Sequence, residues 1–545
     1  MGVTTTRLFQ RQATGLVREA GTWSTLIYNI NFVSIGLMML FVIQLEPAFY
    51  PGGDMLVSYL LALAIVLPTS LVFAMLSAAM PRSGGDYIYV SRILGPRLGM
   101  MSSWINTIWW FIYGGVPSAF FARYGLGPLF RNVGLMSGNA SLVDIGSWFV
   151  TPAGTIITGI LLIVGLVVVF SLGLGVYFRL QNVLFMVAML GLGITALVLL
   201  TGSVATFGAN LDHLFGKPGT YQAVLDAASK AGFTQAPFTW YSSLIPITWI
   251  YLELAFNQSS AFIGGEIKRA SRIQLWSMPL AAIISVGIAM LLTGLFERTV
   301  GTQFLGAVSF DGGATLGLSS APTFSELAAY VSGSTIVALI IGVGFVFWSY
   351  TWLPGQILNA SRNLLAYSLD GVLPERLSAV NERYHTPIVS LTVVGFMSCL
   401  ALVVYATNPD FTTLVGIIAF IVSFMIVSVA AILFPYRKRV VWEASPIAWR
   451  WRGIPVITIV GLVSLIALLV AGWAYLNDPL SGVNVLNGLT PVITGKDGAI
   501  TKDAVRFGLA ALTVVSGLVI YEISRFVRSR SGIRLEASFE EIPVE

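Results

Sequence analysis

Apolar stretches of about 20 residues recur along this chain, the length at which an α-helix crosses the hydrocarbon core of a bilayer. Twelve segments carry the pattern, at 24–45, 55–79, 98–123, 153–172, 180–204, 241–263, 277–298, 333–354, 387–407, 409–435, 453–475 and 505–525. Lipid offers a peptide group no hydrogen-bond partner, so such segments must close their own backbone bonds, and their length selects helices over barrel strands. Charged residues are 10% of the chain, against about a quarter in a soluble domain. The expected class is an all-α integral membrane protein with 12 transmembrane helices.

Lys and Arg set the orientation, because they stay on the cytoplasmic side of short loops. Of the 30, 22 fall on the side that holds both termini and 8 on the other. Both termini are predicted to be cytoplasmic, in a multi-pass protein of the cell (plasma) membrane. The basic surplus is topological and implies no nucleic-acid partner; Arg437-Lys438-Arg439 reads as an anchor to anionic headgroups of the lipid bilayer. The first 20 residues are polar and basic, which predicts no cleavable signal peptide. Cys399 is the single cysteine and allows no internal disulfide. His213 and His385 read as loop residues, so neither a metal site nor a cofactor is expected, and no catalytic cluster points to an enzyme.

Two segments break the apolar pattern in the middle. Segment 6 turns polar at Glu253-Leu254-Ala255-Phe256-Asn257-Gln258-Ser259-Ser260, and segment 1 holds Asn29, Asn31, Ser34 and Gly36. A carboxylate and a run of amides at this depth must face protein or a water-filled cavity. The bland alternative is a polar helix–helix packing face. Segments 1 and 6 head two five-segment halves, 1–5 and 6–10, and an odd number of crossings inverts the second half. Paired interruptions at matching places point to an inverted-repeat transporter with its site at the midplane. Freed N–H groups in segment 1 would face an anion and freed carbonyls in segment 6 a cation, which together suit a zwitterion.

Three loop motifs add a resemblance. Pro81-Arg82-Ser83-Gly84-Gly85-Asp86-Tyr87 follows segment 2, and Arg362…Asp370-Gly371-Val372-Leu373-Pro374…Asn381…Pro387 joins segments 8 and 9. Gly265-Glu266-Ile267-Lys268-Arg269-Ala270-Ser271-Arg272 closes segment 6. In this order they resemble the amino acid–polyamine–organocation (APC) superfamily of amino acid permeases over about residues 20–475. The resemblance implies a LeuT-type fold, a 5+5 inverted repeat plus two peripheral helices, and transport of amino acids or related amines. The chain departs from the family pattern where Phe256 replaces a glycine of the segment 6 break, Gln258 an acid, and Glu253 a small residue.

The implied organisation is a cytoplasmic N-tail (1–23), a first repeat (24–205), an extracellular loop (206–240), a second repeat (241–435), two peripheral spans (436–527) and a cytoplasmic C-tail (528–545). Substrate-binding candidates are Phe32, Ser34, Ile35 and Gly36 in segment 1, and Leu252, Glu253, Ala255 and Asn257 in segment 6. Asn106, Trp109 and Tyr113 share a face of segment 3 by their spacing and join them. Coupling-ion candidates, for H+ or Na+, are Ser349, Thr351 and Glu253; residues 180–204 hold no lysine to serve as a proton carrier there. In the loops, 221–230 reads as a surface helix, and Thr323-Phe324-Ser325-Glu326 as a capping box. The function expected is secondary active transport of amino acids by alternating access with ion-coupled uptake. The alternative is an amino acid/amine exchanger or a polyamine/organic-cation carrier. A channel would need a repeated pore loop or charged rings, and neither is present.

Overall fold

The computed structural model of the chain describes residues 15–408, 415–480 and 502–539. Most of the N-tail, the start of segment 10, part of 436–527 and the end of the C-tail lie outside the described residues. Among the described residues ten helices are long and apolar enough to cross a membrane, including Met55–Ala79, Leu174–Thr201, Ala270–Thr299 and Thr335–Leu369. Segment 3 forms a 25-residue helix, Pro96–Phe120, which continues through a π-helical turn, Phe121–Leu126, into Gly127–Ser137. Segment 6 is the exception in kind. It breaks into Trp240–Leu244 and Ile247–Leu254, then leaves the α-helix altogether for two 3₁₀ turns, Ser259–Phe262 and Gly264–Glu266.

Burial sorts the helices into a centre and a rim. The apolar stretch of segment 1 is 94% buried inside the protein and that of segment 12 only 17%, so segment 1 is an axis and segment 12 lies at the rim. Segment 8 is the second axis, a 35-residue helix buried along most of its length. Small residues let these rods approach closely, the usual packing device where lipid is as apolar as leucine. Segments 5 and 8 cross at Gly191 and Gly344, where a Cβ on Gly191 would stand 2.7 Å from the Gly344 backbone. Segments 3 and 9 cross where Gly114 and Gly115 lie against Ser398 and Leu402.

The turns follow their local chemistry. Asp54 caps segment 2 by accepting from the Leu56 and Val57 N–H groups at 3.0 Å. The same helix ends at Ala79, ahead of Pro81, and the chain reverses through Gly84 and Gly85 at φ +98° and +42° into a short helix, Gly85–Ile93. The Thr323–Glu326 capping box forms as read and starts Phe324–Ser332. The helix expected near 221–230 is Thr220–Lys230. Two expectations are corrected. His213 lies in the last turn of a surface helix, Val204–Phe215, and not in a loop. Segment 11 starts at Val456 rather than 453, because Arg450–Trp451 pairs with Ile454–Pro455 in a two-stranded ribbon, a small exception to all-α structure.

Candidate functional site

Segment 1 breaks at one residue. Thr22–Val33 ends and Ile35–Phe49 begins at Ser34, which sits in the left-handed region at φ +48° and ψ +74°. A non-glycine residue held there costs on the order of 1–3 kcal/mol, so its surroundings must fix it. They do: its hydroxyl donates to the Trp348 carbonyl of segment 8 at 2.7 Å, and its N–H still reaches the Asn31 and Ile30 carbonyls. The kink leaves the N–H groups of the following turn, Ile35, Gly36 and Leu37, with the orphan character of a helix start. Gly36 lies flat on Trp348, where a Cβ would come within 2.5 Å of the Trp348 Cβ.

Segment 6 unwinds from Ala255, so Leu252 and Glu253 close its last helical turn. Phe256 fills the gap between segments. Its ring centroid lies 5.5 Å from Phe32, 4.8 Å from Phe420, 6.2 Å from Trp352 and 6.4 Å from Tyr113. Phe32 in turn covers Gly355 of segment 8, where any Cβ would overlap its ring. Trp109 and Tyr113 close the group from segment 3, both against Gly416. Five segments thus meet around one aromatic cluster beside the two breaks.

The polar groups at this level fall into two sets. Glu253 is fully buried, and neither carboxylate oxygen has a hydrogen-bond partner among the described residues. Gln356 is equally buried, with neither end of its carboxamide paired among the described residues. It lies between Trp352 and Asn359 on one helical stripe of segment 8. Other polar residues are tied down. Asn257 accepts from Ser70 of segment 2 and donates to the Leu254 carbonyl, which makes it a brace of the break. Asn29 holds the Ser260 backbone and hydroxyl, and Asn359 links Tyr28 to Ser259.

The remaining candidates are placed as follows. Phe32, Trp109 and Tyr113 stand in the aromatic cluster; Ile35, Leu252 and Ala255 are buried beside the breaks. Asn106 points the other way and donates to Asp86 in the loop after segment 2 at 2.9 Å. Ser349 donates to Val346 of its own helix and packs on Gly125 of segment 3, away from the segment 1 break. Thr351 donates to the Trp348 carbonyl, the one Ser34 also uses. Trp352, Gln356 and Phe420 were not singled out from the sequence. A stripe of Trp352, Gln356, Asn359 and Asn363 at helical spacing was the available signal.

Buried ion pairs tie the two ends of the bundle. On the face holding the loop motifs, Arg362 grips Glu266 through two bonds of 2.7 Å, and Arg92 grips Asp370 at 2.8 and 2.9 Å. The segment before segment 1 adds a strap, with Ala20 bonded to Glu266 and Lys268 backbone groups. At the opposite face, Arg131 grips Glu326, the capping-box acid, at 2.7 and 2.8 Å. The aromatic cluster between them is buried.

This is a multi-pass helical membrane protein whose interior is built around two interrupted helices. The family model for amino acid permeases matches residues 21–495, and the chain belongs to that family, within the APC superfamily. It is 23% identical to the branched-chain amino acid permease of Bacillus subtilis (strain 168) over 468 residues, covering 84% of this chain and 89% of the relative. Family and relative make it a transporter protein with an amino acid as the substrate class.

Proposed function

We propose that the protein is a secondary active transporter that carries an amino acid by alternating access, in a LeuT-type arrangement of twelve spans with both termini cytoplasmic. The observation that carries this reading is the pair of breaks, at Ser34 and from Ala255, beside one buried aromatic cluster. Freed N–H groups at Ile35 and Gly36 suit the substrate carboxylate. The unpaired Glu253 and Gln356 supply acceptor and donor groups that a bound substrate would satisfy. The aromatic lining suits an apolar side chain, and the name of the Bacillus subtilis relative agrees with one. The two end clusters of ion pairs act as gates that open in turn. A second reading, an exchanger or amine carrier, is favoured by Glu253, since an unpaired buried acid beside aromatic rings is a good host for an ammonium group. Uptake of labelled leucine, phenylalanine, lysine and putrescine into proteoliposomes tests both, with sodium, a pH gradient or internal substrate as the driving condition. Absence of uptake and of exchange for every amino acid would overturn the transport reading.

A further inference from the structure

Asp86 is the second residue of the short helix Gly85–Ile93, in the motif turn after segment 2, and its side chain is fully buried. Its Oδ2 accepts from Asn106 at 2.9 Å, while Oδ1 has no partner among the described residues. The charges on the elements around it are engaged elsewhere. Arg92 is bidentate with Asp370, Arg362 with Glu266, and Arg437 reaches the Ile93 carbonyl. Tyr87 and Tyr367 are phenols, stacked edge to face at 4.8 Å. Asp86 is therefore a buried acid with no cation to hold it charged among the described residues.

A line of hydroxyls starts beside it. Ser103, close to the Asp86 carboxyl, accepts from Tyr367 at 2.7 Å. Tyr367 and Thr107 hydroxyls lie 2.8 Å apart, and Asn363 donates to both Ser103 and Thr107 at 3.0 Å. One turn further along segment 8, Asn359 joins Tyr28 of segment 1 to Ser259 of the segment 6 break. A change of charge on Asp86 bears on the Ser103, Tyr367, Thr107 and Asn363 cluster beside it, because hydrogen bonds in a low-dielectric interior polarise one another.

We propose that Asp86 is a proton-binding site of the carrier, and that its protonation is what couples transport to a proton gradient. The inference rests on the transport reading above. The step is proton binding alone: Oδ1 takes a proton from water admitted when one face of the carrier opens, and gives it back to water when the other face opens. Burial raises the carboxyl to about 7, against the smaller opposing effect of the Asn106 hydrogen bond and the nearby Ser103 hydroxyl and Tyr87 N–H. Both protonation states are then populated near neutral pH.

The test uses the full chain in proteoliposomes with a labelled amino acid that the wild type exchanges. With one proton moved per substrate, a one-unit pH gradient drives about tenfold accumulation. The wild type should reach it, and Asp86→Asn should exchange substrate yet accumulate none. Asn106→Ala removes a donor to the charged carboxylate, so it should move the midpoint of the uptake pH profile upward. This second variant keeps the proposal testable if Asp86→Asn does not fold. Failure of the wild type to exchange any amino acid sinks the transport reading itself. Exchange without gradient-driven accumulation in the wild type, full accumulation by Asp86→Asn, or an unmoved midpoint in Asn106→Ala overturns the Asp86 proposal alone.

Discussion

The Ser34 hydroxyl and the Trp348 backbone carbonyl, 314 residues apart, are joined by a 2.7 Å hydrogen bond that pins the break of segment 1 to the middle of segment 8. Two residues on, Gly36 rests against the Trp348 side chain. Transport by rocking one helix group against another must preserve or exchange this contact, which makes it the natural place to perturb.

Gly36→Ala places a methyl 2.5 Å from the Trp348 Cβ, backbone-proximal and unable to swing aside. Overpacking of this kind costs about 1–3 kcal/mol. The variant should show a lowered melting temperature in detergent and lose transport, and trimming the Trp348 ring should give little relief because the clash is at Cβ.

The Glu266–Arg362 pair is buried on both sides and bidentate. Removing one partner strands the other charge, a loss of about 3–5 kcal/mol. Arg362→Met and Glu266→Gln should each cut thermal stability sharply, and the double variant should recover part of the loss. Additive losses would mean the pair is not coupled.

Phe256 fills the space between Phe32, Tyr113, Trp352 and Phe420. Phe256→Ala should enlarge the centre and shift competition for uptake toward bulkier amino acids. Truncating a well-packed Phe also costs about 3–5 kcal/mol, so stability is measured alongside. An unchanged substrate ranking would place the substrate elsewhere.

Glu253→Gln keeps shape and removes charge. If the acid receives a substrate ammonium, apparent affinity for cationic substrates should fall on the order of 10- to 100-fold, the worth of a charged hydrogen bond. Competition assays with neutral and cationic substrates read this directly.

Asp86 makes stability depend on pH. Its carboxyl stands at about 7 folded against an ordinary 3.8, so the folded state binds the extra proton between those values. Stability from this group is highest at the acid end, falls as pH rises from 3.8 to about 7, and stays low above. Asp86→Asn should flatten that decline in a melting-temperature series and be more stable than the wild type at pH 8.

Composition and periodicity were enough to establish a helical membrane protein, because burying an uncompensated backbone or charge in lipid leaves so few solutions. They also located the breaks to within a residue or two, since Ser34, Gly36 and the polar run after Glu253 disfavour a continuous helix locally. Glycines at 84 and 85 and the Thr323 capping box specified their turns for the same reason: the forces act between near neighbours. Only the tertiary structure decided which polar groups are occupied. Asn106 and Asn257 look like site residues in the sequence, yet one donates to Asp86 and the other braces Ser70. Glu253, singled out on the same grounds, and Gln356, which was not, are left unpaired among the described residues. A hydrogen bond is decided within about 3 Å, and the partners that approach so closely come from other elements, 20 residues away for Asn106 and 187 for Asn257, so their pairing is fixed by packing and not by anything adjacent in the chain.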